Sequence, residues 1–139
     1  MTKEQTTRFV NWLKENRAER GITQQFMAKC LNASQSMVSK WENGERKPGY
    51  IPHALRYFFD TWEKNPLRKC NLDEIPSKPT LATGKWLTWW MDTEGVTVAE
   101  LADFLGVTSS TVRNWKKPET KISIVVEYAI RQAMKTLAK

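Results

Sequence analysis

Thr23-Gln24-Gln25-Phe26-Met27-Ala28-Lys29-Cys30-Leu31-Asn32-Ala33-Ser34-Gln35-Ser36-Met37-Val38-Ser39-Lys40-Trp41 decides the reading of this chain, because its framework is written twice. Thr23, Ala28, Leu31, Ser36, Val38 and Trp41 return 74 residues later as Thr97, Ala102, Leu105, Ser110, Val112 and Trp115. Upstream, Trp12, Leu13 and Gly21 return as Trp86, Leu87 and Gly95. Laying residues 9–41 on 83–115 without a gap gives nine identities, where chance gives about two at roughly 6% per aligned pair. A repeat this long, with no short solenoid period, predicts two copies of one small domain.

Each copy reads as two short helices around a tight turn. In the first, Phe26, Met27, Ala28 and Leu31 supply an apolar face at helical spacing, behind Thr23 as N-cap. Asn32 stands where the turn asks for a left-handed residue, and the second copy has Gly106 there. Ser34 and Thr108 are the expected caps of the next helices, whose buried stripes are Val38/Trp41 and Val112/Trp115. That leaves Gln35, Ser36, Ser39 and Lys40 facing outward in one copy, and Ser109, Ser110, Arg113 and Asn114 in the other. The unit so described is a helix-turn-helix, which places its second helix in the DNA major groove.

Residues 9–64 resemble the lambda-repressor-like (Xre/Cro/cI) helix-turn-helix family. Two runs at fixed spacing carry the likeness: Thr23-Gln24-Gln25-Phe26-Met27-Ala28, and Ser34 through Trp41-Glu42-Asn43-Gly44-Glu45-Arg46-Lys47-Pro48. The second copy, Val98-Ala99-Glu100-Leu101-Ala102 through Gly106-Val107-Thr108 to Asn114-Trp115, resembles the same core more loosely. It has Val98 in place of Gln24, and only Lys116-Lys117-Pro118 after its last tryptophan. The expected fold is therefore all-α, with two tandem lambda-repressor-like domains at 1–65 and 81–139 joined by a proline-containing linker at 66–80. Helices are expected at about 4–19, 24–31, 35–42, 51–64, 82–93, 98–105, 109–116 and 121–138. With Pro66, Pro76 and Pro79, the linker reads as semi-extended. Its roughly 15 residues reach about 50 Å at ~3.3 Å each, more than the ~34 Å between successive major-groove faces.

The resemblance assigns roles to particular residues. Gln35 opens the first reading helix, where a side-chain amide bonds adenine N6 and N7 together. Gln24 occupies the family position that contacts a phosphate and braces the reading glutamine. Ser34, Ser36, Ser39 and Lys40 complete that edge, and Arg46 and Lys47 are expected clamps on the DNA backbone. In the second head Thr108, Ser109 and Ser110 open the helix, Arg113 and Asn114 suit guanine and adenine, and Lys116 and Lys117 suit phosphate. Two readings stand for that head, DNA contact or a retained scaffold used for dimerisation or partner binding.

Composition fits a small nucleic-acid binder. The 139 residues suffice for two minimal helical domains of about 60 residues. Twenty-two Lys and Arg against 15 Asp and Glu give +7, and residues 1–65 hold +4 of it, so the first copy has the stronger claim on phosphates. No apolar run approaches the roughly 18 residues of a membrane span, and the N-terminus lacks a signal-peptide core. A bacterial-type cytoplasm is the expected address. Cys30, Cys70 and His53 fit no zinc spacing, so no metal or cofactor is expected. Phosphate loops, paired carboxylates and nucleophile–base motifs are all missing from the sequence, which leaves an enzyme reading without support.

Seven tryptophans complicate the picture. Trp12, Trp41, Trp86 and Trp115 match across the repeat and are expected in the cores. Trp89 and Trp90 align with Glu15 and Asn16, positions that face water or edge the apolar stripe. They suggest an interface, with Ile130 and Leu137 on the broad stripe of the last helix as its counterpart. The occupant is the other domain, a second copy in a homodimer, or a foreign protein. The favoured function is sequence-specific binding to double-stranded DNA by a repressor of phage, plasmid or mobile-element type, acting by promoter occlusion. The alternatives are an antitoxin, or a protein-directed inhibitor of the anti-CRISPR kind on a tandem helix-turn-helix scaffold. Both put the main activity near Trp89 and the last helix.

Overall fold

The computed structural model describes residues 2–45, 47–76 and 81–138. Among these residues eight α-helices run in order: α1 Lys3–Glu19, α2 Gln24–Cys30, α3 Gln35–Glu42, α4 Ile51–Asp60, α5 Gly84–Glu94, α6 Val98–Leu105, α7 Ser109–Trp115 and α8 Ile124–Leu137. Three short 3-10 turns, Trp62–Lys64, Pro66–Lys69 and Leu72–Glu74, follow α4. Among the described residues there is no β-strand, only an isolated bridge between Thr83 and Lys121. The all-α class and the eight helices stand where the sequence places them, within a few residues at their ends. The chain gathers into two compact units, one of Met1–Lys47 with Phe59–Lys78, the other of Pro48–Phe58 with Pro79–Lys139.

In the first unit every helix start has its own cap. Thr2 and Gln5 form a reciprocal capping box on α1, with N–H···O distances of 2.8 and 3.1 Å. Thr23 accepts from the Phe26 N–H and Ser34 from the Met37 N–H, both at 3.1 Å. Between α2 and α3 Asn32 takes φ +53°, the left-handed turn expected of it. Leu13, Met27, Ala28, Leu31, Val38 and Trp41 close the core beneath these helices. Trp12 only half-enters it, held edge-on to Phe59 with ring centroids 5.5 Å apart.

The expected linker is not semi-extended where it is described. Asn65 accepts the Leu67 N–H at 2.9 Å, and Pro66 occupies the first position of a 3-10 turn, where its missing N–H costs nothing. Leu67 and Ile75 are buried in the first unit, and the Lys29 ammonium donates to the Leu72 carbonyl at 3.0 Å. Prolines read as punctuation, but here two apolar side chains anchor the segment. The rest of the linker, residues 77–80, lies outside the described residues. Helix α4 is also shorter than the 51–64 expected. It ends at Asp60, and the next turn sets Trp62 edge-on to Phe26 at 6.0 Å.

The second unit repeats the local course. Thr83, Thr97, Thr108 and Ser123 cap α5, α6, α7 and α8, and Gly106 takes φ +67° in the turn between α6 and α7. Helix α8 starts at Ile124 rather than near 121, because the stretch before it is spent on pairing. Ile122 donates to the Ala82 carbonyl and Gly84 to the Thr120 carbonyl, both at 2.9 Å. The first eight residues of α4 pack in this unit, burying Ile51, Ala54, Leu55 and Phe58. His53 lies on Phe104 with centroids 4.4 Å apart, and Tyr57 meets Tyr128 at 5.0 Å. This accounts for the breadth of the α8 stripe. Ile124, Val125, Val126, Ala129, Ile130, Ala133 and Met134 are all consumed in the core of the unit.

Candidate nucleic-acid interface

Helix α3 is amphipathic over barely two turns, and its two sides separate sharply. Val38, Trp41 and Glu42 are buried, whereas Gln35, Ser36 and Lys40 are exposed and Ser39 is half-exposed. The Ser34 cap fixes the helix start, so the exposed side chains leave a rigid backbone. Gln24, half-buried at the start of α2, is not hydrogen-bonded to Gln35 among the described residues. Arg46 lies outside the described residues. Lys47 stands with its ammonium 4.2 Å from the centre of the Phe9 ring, and partial burial there lowers its pKa.

An ion pair absent from the sequence reading holds α3 from behind. Arg17 on α1 grips Glu42 through two hydrogen bonds of 2.8 and 2.9 Å and also donates to the Ile22 carbonyl at 3.0 Å. Glu42 is 3% exposed, so its charge is stable there only because this fork satisfies both oxygens. The pair pins the C-terminal end of α3 while the Ser34 cap pins the other. Twenty-five residues separate the partners, and no local pattern announces them. At the same end, the Gly44 backbone approaches α1 so closely that a Cβ would lie 3.2 Å from the Thr6 methyl.

One exposed residue on this edge escaped the sequence reading. Met37 is 44% exposed, a large apolar side chain flanked by Ser36 and Lys40. Its position just before Val38 takes it off the buried Val38/Trp41 stripe, which is the signal that could have found it.

In the second unit Ser110, Arg113, Asn114 and Lys117 are exposed, and Ser109 and Lys116 are half-exposed. Thr108 is occupied as a cap, accepting the Thr111 N–H at 3.1 Å. The apolar interface expected here changes in composition. Trp89 is 63% exposed, as its alignment with Glu15 implies, but Ile130 is fully buried and cannot belong to a surface. Trp90 is half-buried against Trp86, with centroids 5.2 Å apart, and the Arg131 guanidinium lies over both rings. Trp86 and Trp115 are likewise half-buried rather than core residues, and Leu137 is half-exposed. His53, which the sequence leaves without a partner, is held on Phe104, and burial lowers its pKa. Among the described residues no three His, Cys, Asp or Glu side chains gather as a metal site, and no helix is long and apolar enough to cross a membrane.

Comparison with known proteins agrees with the geometry of the first unit. Over 40 residues the chain is 45% identical to a Bacillus subtilis (strain 168) protein described as an uncharacterized HTH-type transcriptional regulator, YqaF. The aligned stretch covers 29% of this chain and 53% of that protein, so the chain spans about half the length of this relative. No solved structure matches the chain. The helix-turn-helix family model matches residues 13–50, from the middle of α1 through α3 to the turn before α4. Residues 13–50 are thus a helix-turn-helix domain.

Proposed function

We propose that the protein is a sequence-specific DNA-binding transcriptional regulator that reads double-stranded DNA with α3. The observation that carries this reading is the edge of α3. Gln35, Ser36, Ser39 and Lys40 line its accessible side, on a helix capped at one end by Ser34 and pinned at the other by Arg17–Glu42. The family match over residues 13–50 and the name of the Bacillus relative point the same way. Gln35 bonds an adenine edge in the major groove, Lys40 reads guanine or holds a phosphate, and Arg46 and Lys47 hold the backbone. Occupying a promoter in this way excludes polymerase, so repression is the regulatory sense we assign, in a bacterial or mobile-element setting and a cytoplasmic location.

The second unit serves as a second head of the same type, with Arg113 and Asn114 as its readers and Lys116 and Lys117 at phosphates. This rests on the shared cap-and-turn course of α6–α7 and on the exposure of Arg113 and Asn114. Selection from a random double-stranded library with the full chain at moderate salt tests both assignments. A recovered motif supports a reader, and two unlike half-sites support two heads in one chain. Recovery of no motif, with weak salt-sensitive binding only, would move the main activity to a protein partner at the Trp89 surface.

A further inference from the structure

We infer that Met37 is a specificity residue of α3 that recognises the 5-methyl group of a thymine. The inference rests on the proposed DNA-reading role of α3 and adds the chemistry of one base contact to it. Met37 is a large apolar side chain 44% exposed on an edge whose other accessible residues, Gln35, Ser36, Ser39 and Lys40, are polar. Its neighbours along the surface are Ser36 and Lys40, both exposed on the reading edge. Its backbone is fixed, since its N–H donates to the Ser34 hydroxyl at 3.1 Å. A flexible thioether of this length adapts to a small apolar target. The major groove offers one apolar group at base edges, the thymine methyl. The polar neighbours bond base edges or phosphate while Met37 covers the methyl and excludes water from it.

The equivalent position in the second unit is Thr111, half-buried and engaged with Thr108 at 2.9 Å between hydroxyls. Thr111 is shorter and less exposed than Met37, so the effect is expected at the α3 half of any bound site.

The test replaces each thymine of the selected duplex, one at a time, by deoxyuridine, which removes only the methyl. Affinity is measured for the full chain and for Met37→Ala, a surface change to a better helix former that leaves the fold intact. At one or two thymines the unaltered protein should lose about fourfold, the worth of one buried methyl. Met37→Ala should bind thymine and uracil duplexes alike at those positions. Uracil effects within twofold everywhere, or the same loss in Met37→Ala, would overturn the assignment while leaving α3 as reader. Failure to select any motif would instead remove the DNA reading and this inference with it.

Discussion

The two units close the same cap-and-turn framework with opposite chemistry. In the first, Arg17 and Glu42 join α1 to the end of α3 by a buried ionic fork. At the matching positions of the second stand Met91, 1% exposed, and Lys116, half-exposed. The close approach of helix to turn is exchanged as well. In the first unit the glycine lies in the turn, as Gly44, against Thr6 and Val10 of α1. In the second the turn has Pro118, and the glycine has moved to α5 as Gly84, whose missing side chain leaves room for the Trp115 and Lys117 carbonyls. The second unit holds the same framework with a buried methionine and a half-exposed lysine at these positions, so the repeat keeps its geometry while its wording drifts. The absence of a Gly44 equivalent in the second copy is therefore a relocated glycine.

The sharpest way to break this comparison is Gly84→Ala. Its Cβ would lie 1.9 Å from the Lys117 carbonyl oxygen, a backbone atom that cannot move without unseating α5 from α7. We expect a loss of about 4 kcal/mol in the second unit, read by urea unfolding. The matched change Val10→Ala in the first unit, at a half-buried position, should cost about 1 kcal/mol. Comparable losses from the two would mean that the glycine exchange is not real.

Arg17→Met copies the second unit's residue into the first and leaves the Glu42 charge buried alone. A loss of about 2–3 kcal/mol is expected, at the low end of broken buried pairs because Arg17 is 23% exposed. Arg17→Met with Glu42→Leu should recover most of it. A double variant as unstable as the single one would show that the pair is not interchangeable with apolar packing.

On DNA, Gln35→Ala should cost about 1–3 kcal/mol at a selected site and relax preference at one base pair. Unchanged preference would remove Gln35 as a reader. Lys47→Ala should cost under about 1 kcal/mol of stability through its lost contact with Phe9. It should also lower the salt slope of binding by about 0.9 if the ammonium neutralises a phosphate. An unchanged slope would remove Lys47 as a phosphate contact.

The smallest effect concerns pH. Burial on Phe104 holds His53 below its ordinary 6.5, so the unfolded chain binds the proton more readily than the folded one. The contribution is complete above 6.5 and is lost as pH falls from there through the folded value. Thermal melts of the second unit should decline over that window, and His53→Phe should flatten the decline. Identical pH profiles for both proteins would remove His53 as its source.

Much of this architecture was legible in the sequence, for a physical reason. Caps and left-handed turns are satisfied within three or four residues, so Thr23, Asn32, Ser34, Gly106 and Thr108 announced their roles from chemistry alone. The exposed edge of α3 followed from helical period once Val38 and Trp41 were taken as buried. Long-range choices did not announce themselves. The Arg17–Glu42 fork spans 25 positions. Ile130 read as surplus apolar surface because nothing local shows that the start of α4 packs in the same unit as α8. The prolines of 66–76 suggested an extended chain, while Leu67 and Ile75 tie that stretch down. Met37 was missed because an apolar residue beside a buried stripe is usually counted with it.

Helix α3, with its fixed ends and polar edge, stands or falls as the reading helix on one comparison. Its most direct test measures one selected duplex against two matched variants of the full chain, Gln35→Ala with Lys40→Ala, and Arg113→Ala with Asn114→Ala. Both pairs are exposed at the surface and should leave the fold intact. The α3 pair should lose discrimination over the α3 half-site by at least about tenfold, while the α7 pair retains it there and loses it only over its own half-site. Full discrimination by the α3 pair, with its loss in the α7 pair, would remove α3 as the reading helix and hand the reading to the second unit.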